Sequence, residues 1–508
     1  MSDLRDQKPD QATAPTSRIV AANRLRPDRS GRVSDQKIGR HLLLGVLSLF
    51  ALGCVTTPTP VPEERVPRPE VWVDAYSAAG GDGSSARPFK SVPQLISAGT
   101  SVHLRSGLYP GPFVLGEGVT LEGHGEVVLT GEAGQTVVTA SGATLQHLSV
   151  QGGAIGLEAG PGVVLNDVRF SGQRKLAAQV HGRIQVHSSQ FTASVEGIDG
   201  ISVDRGATLE LKESKFESGF RRAVVTEGGS LELTQVTGSG PKTLVHATGA
   251  SSQLNQVTSS FGSGPALFFS GGTATVKGAE ITGHDFGIQL TRGAQVEVSD
   301  SVLKRAEEAC LSAIGSTLSV TKTSFSGCGT AGALSLQTSK TQLRSVEIAA
   351  SKEFGIFVKQ GSLTLDEVKI SRVSAAPDRE LGDALHIRDE AKVRGEGPVT
   401  VSDVDGSAVF ATSLSEVELK SLSVERARNS ALFVERGAQV IFGTLLVRGG
   451  AGPAVVVPDQ ASVQVKSLSV AGGNEMPVYA ECAAGASVEV GRLESTIQQL
   501  PSQCVLVK

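Results

Sequence analysis

The 508-residue sequence predicts an all-β fold, a parallel β-helix solenoid with about three strands per coil. Three observations lead to this prediction: a glycine-rich composition, a repeat of nearly constant length, and a fixed spacing of apolar residues inside each repeat. The chain has 60 glycines, 4% aromatic residues and 19% charged residues. That composition is typical of short strands and tight turns with little bulky core.

The repeat is clearest from residue 206 onward. New units begin about every 21 to 24 residues, with one longer unit before Ala391, and a period in this range indicates a solenoid. The units begin at Gly206, Gly229, Ala250, Gly272, Gly293, Gly315, Ser339, Gly361, Ala391, Leu414, Gly437 and Gln460.

Apolar residues keep the same spacing inside each unit. Leu318, Val320, Thr323 and Phe325 follow one another at steps of two, three and two residues, and the same steps recur within 363–370, 417–424 and 463–470. Steps of two place side chains on one face of a strand, and the step of three predicts a bend that keeps this face inward. A third strand closes each unit, as in "FGIFV", "DALHI" and "SALFV". A helical repeat is excluded, because apolar steps of three and four do not run through the units.

The folded part begins near residue 71 with "VWVDAYSAAGGDGSSARPFKSVPQLISAGTSVHLRSGLYPGPF". Its first strand, the "PFKSV" element and "VHLRSGLY" with Gly107 and Tyr109 resemble the opening of bacterial pectin-lyase-like right-handed β-helix proteins. The resemblance implies a right-handed solenoid with an N-terminal capping helix, here near 93–98. We therefore expect a cap over 71–120 and about sixteen coils over 121–508, extending about 75 Å at about 4.8 Å per coil.

The N-terminal region predicts export and a lipid anchor. The apolar run 42–53 is too short to span a bilayer as a helix, and Lys37 and Arg40 precede it, as in a signal peptide. The sequence "FALGC" resembles a bacterial lipobox with Cys54 as the lipidated residue, although Ala51 stands where leucine is preferred. A buried apolar helix is the structural alternative.

These features divide the N-terminal region into three segments. We expect 1–32 to be an untranslated or disordered leader, with translation starting at Val33, 33–53 to be the signal peptide, and 54–70 to be a Pro- and Thr-rich tether. Val55 does not match the familiar inner-membrane retention signal, so the prediction is a lipid-anchored protein of the bacterial cell envelope, in the outer membrane rather than the inner one.

The remaining cysteines form an even set, which suits an oxidising compartment. Cys310 with Cys328, and Cys482 with Cys504, lie about one coil apart and are predicted to form disulfides. A zinc site with these cysteines as ligands is the rival interpretation, but no CxxC motif or histidine cluster in the sequence accompanies them. A formal net charge of −4 and the lack of a basic stripe exclude nucleic acid as a predicted partner.

The outward residues of the third strands form one column along the solenoid. We predict its members as Ser202, Val225, Val245, Phe268, Gln289, Ser312, Ser335, Phe357, His386, Phe410, Phe433, Val456 and Tyr479. The column contains no acid, lysine or arginine, although pectin-lyase-like hydrolases and lyases place carboxylates and basic groups on this face. Its C-terminal part, Phe357, His386, Phe410, Phe433, Val456 and Tyr479, is a candidate ligand-binding face. The alternative is that loops cover it and make it a satellite core.

Catalytic candidates come from the longest unit. The segment 374–383 extends a turn beside the column, contains Glu380 and Asp383 and precedes His386 and Arg388, and these four residues are the candidates. The "GHG" sequence at 123–125 is similar to a polygalacturonase motif but lacks its partner aspartates, so we interpret Gly123 and Gly125 as turn residues. No cofactor or metal site is predicted, and Ca²⁺ enters only if the protein is a lyase.

Three functions remain open at this stage. The first is a non-catalytic, lipid-anchored β-helix whose long face binds polysaccharide or a surface protein. The second is a polysaccharide lyase or glycoside hydrolase acting on acidic polysaccharide, and the third is a purely structural surface rod.

Overall fold

The computed structural model describes residues 68–217, 219–375, 381–472, 476–495 and 503–508, which belong to one compact unit. The predicted leader, the predicted signal peptide with Cys54, and residues 54–67 of the predicted tether lie outside the described residues. Glu380 lies outside them as well.

Parallel strands make up almost all of the regular structure. The described residues form 42 strands in one continuous sheet. The first strands are β1 Glu70–Val73, β2 Ser101–Pro110, β3 Phe113–Leu115, β4 Thr120–Gly131, β5 Thr136–Ala140, β6 Thr144–Gly152, β7 Ile155–Ala159, β8 Val163–Ser171, β9 Leu176–Val180, β10 Arg183–His187, β11 Gln190–Thr192, β12 Ile198–Val203, β13 Thr208–Lys212 and β14 Lys215–Phe216. The middle strands are β15 Phe220–Glu227, β16 Ser230–Thr234, β17 Thr237–Ser239, β18 Thr243–Thr248, β19 Ser251–Asn255, β20 Thr258–Ser270, β21 Thr273–Lys277, β22 Glu280–Thr291, β23 Gln295–Ser299, β24 Val302–Lys304, β25 Ala309–Ile314, β26 Thr317–Thr321, β27 Ser324–Ser326 and β28 Leu334–Gln337. The last strands are β29 Lys340–Ala349, β30 Phe354–Lys359, β31 Ser362–Val373, β32 Asp383–Arg388, β33 Lys392–Val404, β34 Ser407–Ala411, β35 Glu416–Ala427, β36 Ser430–Val434, β37 Gln439–Gly450, β38 Val455–Val457, β39 Ser462–Ala471, β40 Val478–Ala480, β41 Ser487–Ser495 and β42 Val505–Val507, with a 3₁₀ turn at Cys482–Ala484.

Each strand pairs with the strands one coil before and one coil after it, which confirms the predicted β-helix. For example, β31 pairs in parallel with β29 and with β33, so that Val346, Val368 and Val399 stack in register. The chain is a right-handed parallel β-helix of about 18 turns. The coils begin earlier than residue 121, because β1 already pairs with β2, and β2 with β4.

The predicted inward positions form the core. Leu318, Val320, Thr323 and Phe325 are buried, and so are the equivalent residues of the units at 363–370, 417–424 and 463–470. The spacing of two, three and two residues therefore identified one continuous inward face.

In the coils up to residue 370, the predicted bend is made by one residue in the left-handed conformation, whereas no residue at 420–421 or 466–467 adopts it. Lys322 (φ 47°) and Glu367 (φ 55°) sit inside the step of three, and equivalent residues lie one coil apart in the earlier coils. This conformation costs an L-residue roughly 1 to 2 kcal/mol. The parallel hydrogen bonds continue through the bend and offset that cost, since Gln256 N–H bonds to Lys277 O and Lys322 N–H to Arg344 O.

The structure does not show the predicted N-terminal capping helix. Residues 91–100 form bends and a turn, with Thr100 N–H bonded to Ser97 O, and no helix. Six residues beginning with proline provide too few hydrogen bonds to offset helix nucleation. The rest of the opening motif is ordered, since Tyr109 is buried and its hydroxyl donates to Arg105 O at 2.7 Å.

Both predicted disulfides are formed. Cys310 bonds to Cys328 with Cα atoms 5.5 Å apart, and Cys482 bonds to Cys504 with Cα atoms 5.4 Å apart. The four sulfurs are therefore not zinc ligands, and the rival interpretation is wrong. The described part of the chain contains no helix with the length and hydrophobicity that a membrane span requires.

Candidate functional site

The third strands stack to place the predicted column on one outward face. The register runs through Ser202, Val225, His246, Phe268, Gln289, Ser312, Ser335, Phe357, His386, Phe410, Phe433, Val456 and Tyr479. One predicted member is wrong: His246 occupies the outward position, because Val245 is buried beside Leu244. The column also continues backwards to Gln179 and Glu158, beyond the predicted stretch.

The C-terminal part of the column is a stack of flat side chains. Ring centroids lie 5.7 Å apart between Phe357 and His386, 4.7 Å between His386 and Phe410, and 5.2 Å between Phe410 and Phe433. The last two pairs lie within 10° of parallel, at 5° and 9°. We call Phe357, His386, Phe410 and Phe433 the aromatic ladder.

Phe357 is partly exposed, and from His386 onward exposure increases towards Tyr479. His386 is buried at 7% exposure, Phe410 and Phe433 are partly exposed, and Tyr479, two coils further on, is 40% exposed. The two interpretations of this face, a satellite core and a ligand-binding surface, therefore each describe part of it. His386 is packed between rings, whereas Phe433 and Tyr479 reach solvent.

A second row of side chains runs beside the aromatic ladder, three residues earlier in each strand. Asp383 Oδ1 accepts a hydrogen bond from Ser407 N–H at 2.8 Å, and the hydroxyl oxygens of Ser407 and Ser430 lie 3.0 Å apart. Ser407 and Ser430 are in register, and all three residues are buried. We call Asp383, Ser407 and Ser430 the polar ladder.

The two ladders border an open groove of about 520 Å³, a volume within the range of small-molecule sites. Phe410 and Phe433 form its apolar side, and Ser407, Ser430, Arg428 and Asn429 form its polar side. Arg428 and Asn429 are exposed. The groove therefore offers an apolar strip of ring edges, hydrogen-bonding groups and one cationic side chain together.

The catalytic candidates are only partly brought together. His386 Nδ1 lies 2.9 Å from Asp383 Oδ2, so these two side chains form a buried pair. Arg388 is exposed and donates to Asp389 instead, at 3.2 Å. Of the described residues that line the groove, Asp383 alone carries a carboxyl group, so these residues do not provide the paired carboxylates of a glycoside hydrolase.

The same face is charged beside Ser202 and Val225, in a way that the sequence did not indicate. Both Arg221 and Arg222 donate to Asp199, with closest distances of 2.8 and 2.6 Å. Burial raises the pKa of Asp199, but hydrogen bonds and positive charge from Arg222 and Arg221 outweigh burial and hold that pKa below its usual range. These charges satisfy one another, so the groove at the C-terminal end is the stronger candidate site.

The "GHG" residues lie elsewhere, on β4. A Cβ atom on Gly123 would lie 2.2 Å from His147 O, and Gly125 has a φ of 95°. The prediction that they are turn residues is wrong, since both lie within β4, but the backbone requires glycine at each position.

No protein-family model and no curated protein sequence matches the chain. Among solved structures, pectate lyase Pel9A matches with 11% identity and a TM-score of 0.32, over 58% of this chain and 78% of its own. The Azotobacter vinelandii mannuronan C-5 epimerase AlgE6 A-module matches with 12% identity and a TM-score of 0.14, over 78% and 91%. A rhamnogalacturonan lyase matches with 12% identity and a TM-score of 0.17, over 83% and 86%. At these values the likeness carries no argument about activity.

Proposed function

We propose that this protein is a lipid-anchored β-helix of the bacterial cell envelope that binds an acidic polysaccharide in the groove without cleaving it. The observation that carries the proposal is the side-by-side placement of the aromatic ladder and the polar ladder. Because the rings of Phe410 and Phe433 stack on their neighbours in the ladder, they present mainly their edges to one open volume, which Ser430 of the polar ladder and the adjacent Asn429 also line.

A sugar ring suits this combination because it has an apolar face and a polar edge. The apolar face packs against the strip formed by Phe410, Phe433 and Val456, while the hydroxyl groups at the edge hydrogen-bond to the exposed Asn429 side chain. Arg428 adds a cation beside the groove, and guanidinium groups bind carboxylates in a two-pronged geometry. Uronic acid units are therefore the favoured ligands.

The size of the groove favours a polysaccharide over a protein partner. A stable protein interface covers about 800 Å² on each partner, whereas the aromatic surface here is a narrow strip one side chain wide. A sugar chain lying along the column fits that shape, because successive coils repeat the same surface about every 4.8 Å.

The contacts of Asp383 and His386 support binding without cleavage. Asp383 already accepts from Ser407 N–H and faces His386, while the faces of the imidazole ring pack against Phe357 and Phe410. Cleavage of the polysaccharide by Asp383 and His386, together with Arg388 or Glu380, remains the alternative function. Ca²⁺ would be a cofactor only if the protein were a lyase.

The membrane anchor in this proposal is lipid on Cys54, with the outer membrane favoured over the inner one. Radiolabelled palmitate should enter the full chain and not the Cys54→Ser variant. Fractionation of the labelled cells tests the assignment to the outer membrane, and its result does not depend on binding in the groove.

Binding is tested by affinity electrophoresis of the full chain in gels containing polygalacturonate, alginate or neutral dextran. We expect retardation by an acidic polymer and not by dextran. Phe433→Ala and Arg428→Gln should each weaken binding by about tenfold, equivalent to about 1.4 kcal/mol. Matched controls are Phe261→Ala, which removes an exposed phenylalanine outside the groove, and Arg448→Gln, which removes an exposed arginine on the second strand of a coil.

Two outcomes would contradict the proposal. Release of new chain ends from either acidic polymer, lost in Asp383→Asn, would replace binding by catalysis. No retardation by either acidic polymer, or equal retardation of the groove variants and the wild type, would leave a structural role.

A further inference from the structure

A cluster of His103, Glu122 and His124 lies at the N-terminal end of the β-helix, apart from the groove. His103 on β2 is in register with Glu122 on β4, and His124 follows Glu122 by two residues. Alternate residues of a strand face the same side, so all three side chains point outward together. Trp72 on β1 is in register with His103 and completes the row.

The three candidate ligand atoms converge. His103 Nδ1 lies 2.9 Å from His124 Nε2 and 3.3 Å from Glu122 Oε2, and His124 Nε2 lies 4.0 Å from the same carboxylate oxygen. Among the described residues, this is the one group of three His, Cys, Asp or Glu side chains with ligand atoms this close to one another.

The size of this triangle matches a metal site. The point equidistant from the three atoms lies about 2.0 Å from each of them, which is the length of Zn–N and Zn–O bonds in proteins. An ideal tetrahedral site, with ligand atoms about 3.3 Å apart, needs the 4.0 Å edge to shorten and the 2.9 Å edge between the two imidazole nitrogens to lengthen, each by some tenths of an ångström. Rotation about the side-chain bonds of Glu122 and His124 can supply these movements.

We propose that His103, Glu122 and His124 bind a zinc ion. Two imidazole nitrogens and one carboxylate oxygen favour zinc or a similar transition ion over Ca²⁺ or Mg²⁺, which prefer oxygen ligands. The side chains of His103, Glu122 and His124 are 14%, 26% and 40% exposed, so solvent reaches the fourth coordination position. The site therefore has the three protein ligands and open position of zinc sites that bind a further ligand.

The surroundings hold the two imidazole rings in place. The Trp72 ring stacks on His103 with centroids 4.6 Å apart and on His124 with centroids 5.1 Å apart. Gly123, between Glu122 and His124, allows close approach to the next coil, since a side chain there would clash with His147 O. The ligands are thus positioned by packed strands rather than by a loop, which lowers the entropy lost on binding the ion.

The same contacts also describe a hydrogen-bonded state without metal. A distance of 2.9 Å between two ring nitrogens suits a hydrogen bond in which one nitrogen carries the proton. Zinc binding would displace that proton and join β2 to β4. Because the ligands come from adjacent coils of the folded chain, bound zinc should stabilise this end of the β-helix.

The test is calorimetric titration of the chelator-treated full chain with Zn²⁺ alone. The wild type should bind one more equivalent of Zn²⁺ tightly than His103→Ala or His124→Ala does. If these variants still bind that equivalent, they should bind it at least about tenfold more weakly. Glu122→Gln preserves the shape of the side chain and should also weaken binding. His147→Ala is the matched control, since it removes an exposed histidine on the following coil.

Trp72, the only tryptophan in the chain, gives an independent readout. Its fluorescence should change as zinc fills the site and should not change when Ca²⁺ is added. Circular dichroism of each variant checks that the β-helix is folded. The proposal is overturned if the wild type binds no zinc at micromolar concentration, or if folded His103→Ala and His124→Ala bind it as the wild type does.

Discussion

The His386 ring lies parallel to the Phe410 ring, with centroids 4.7 Å apart and planes 5° from parallel. This distance is close to the spacing of about 4.8 Å between parallel strands. A column of flat side chains can therefore stack at the spacing that the backbone already imposes. The aromatic ladder thus contributes to stability and, where it is uncovered, provides a surface.

Phe410 is the phenylalanine of this ladder with a stacked ring on either side, His386 and Phe433. Phe410→Ala should lower the free energy of unfolding by about 1 to 3 kcal/mol, because it removes both ring contacts and partly buried apolar area. Tyr479→Ala, on the exposed continuation of the column, should change it by no more than about 0.5 kcal/mol. Urea unfolding followed by circular dichroism measures both. Equal effects of the two variants would show that stacking does not stabilise the coils.

Asp383 should matter for stability whatever the ligand is. Asp383→Ala leaves the buried Ser407 N–H without its acceptor and removes the partner of His386, so a loss of about 2 to 3 kcal/mol is expected. Asp383→Asn retains an acceptor for Ser407 N–H and should cost less. The comparison is made by urea unfolding at neutral pH. A larger loss in Asp383→Asn than in Asp383→Ala would contradict this account of the hydrogen bonds.

The fold could be predicted because its main determinant is local. Apolar steps of two and three residues fix which side chains point inward, and every coil repeats them, as with Leu363, Leu365, Val368 and Ile370. The error at Val245 has a local cause as well. Leu244 and Val245 are both buried at the start of a short third strand, so the apolar pattern did not reveal which residue pointed outward.

The residues of the candidate site could be predicted only where they occupy equivalent positions in successive repeat units. The aromatic ladder was found because Phe410 and Phe433 sit at equivalent positions of similar units. The polar ladder was missed because Ser407 and Ser430 resemble ordinary turn residues, although their spacing of 23 residues equals that of the two phenylalanines. His103 and Glu122 come from early coils of irregular length, where β4 contains a register shift, and no repeat relates them.

The two disulfides should differ in how readily they are reduced. Cys310 and Cys328 are buried, whereas Cys482 and Cys504 are partly exposed near the C-terminal end of the chain. Mild reductant under native conditions should therefore reduce the Cys482–Cys504 bond first, because thiol attack requires access to the sulfur. Alkylation followed by peptide mass spectrometry identifies the reduced pair. Reduction of Cys310–Cys328 at the same rate would indicate that this region opens in the folded state.

His284 should make the protein less stable as the pH falls below neutral. Its side chain is buried, and its Nε2 lies 3.0 Å from Ser259 Oγ. Burial holds the pKa of His284 below its usual value of 6.5. The unfolded chain then binds a proton more readily than the folded one. The stabilisation is therefore fully present above about pH 6.5 and is lost as the pH falls towards the lower folded pKa.

Replacing His284 by glutamine tests this linkage, because glutamine can bond to Ser259 but does not titrate. The wild type should lose more stability than His284→Gln between about pH 7.5 and pH 5.5, measured as the shift in the urea midpoint. His246 should make a smaller contribution of the same sign to the pH dependence of stability. Burial is the main cause that lowers its pKa, and the positive charge of Arg222 is the next. Asp199 acts only at more acidic pH, because its pKa lies below 3.8. His147→Gln, at an exposed position, is the control variant, and an equal pH slope in His284→Gln and the wild type would exclude His284 as a source of the acid sensitivity.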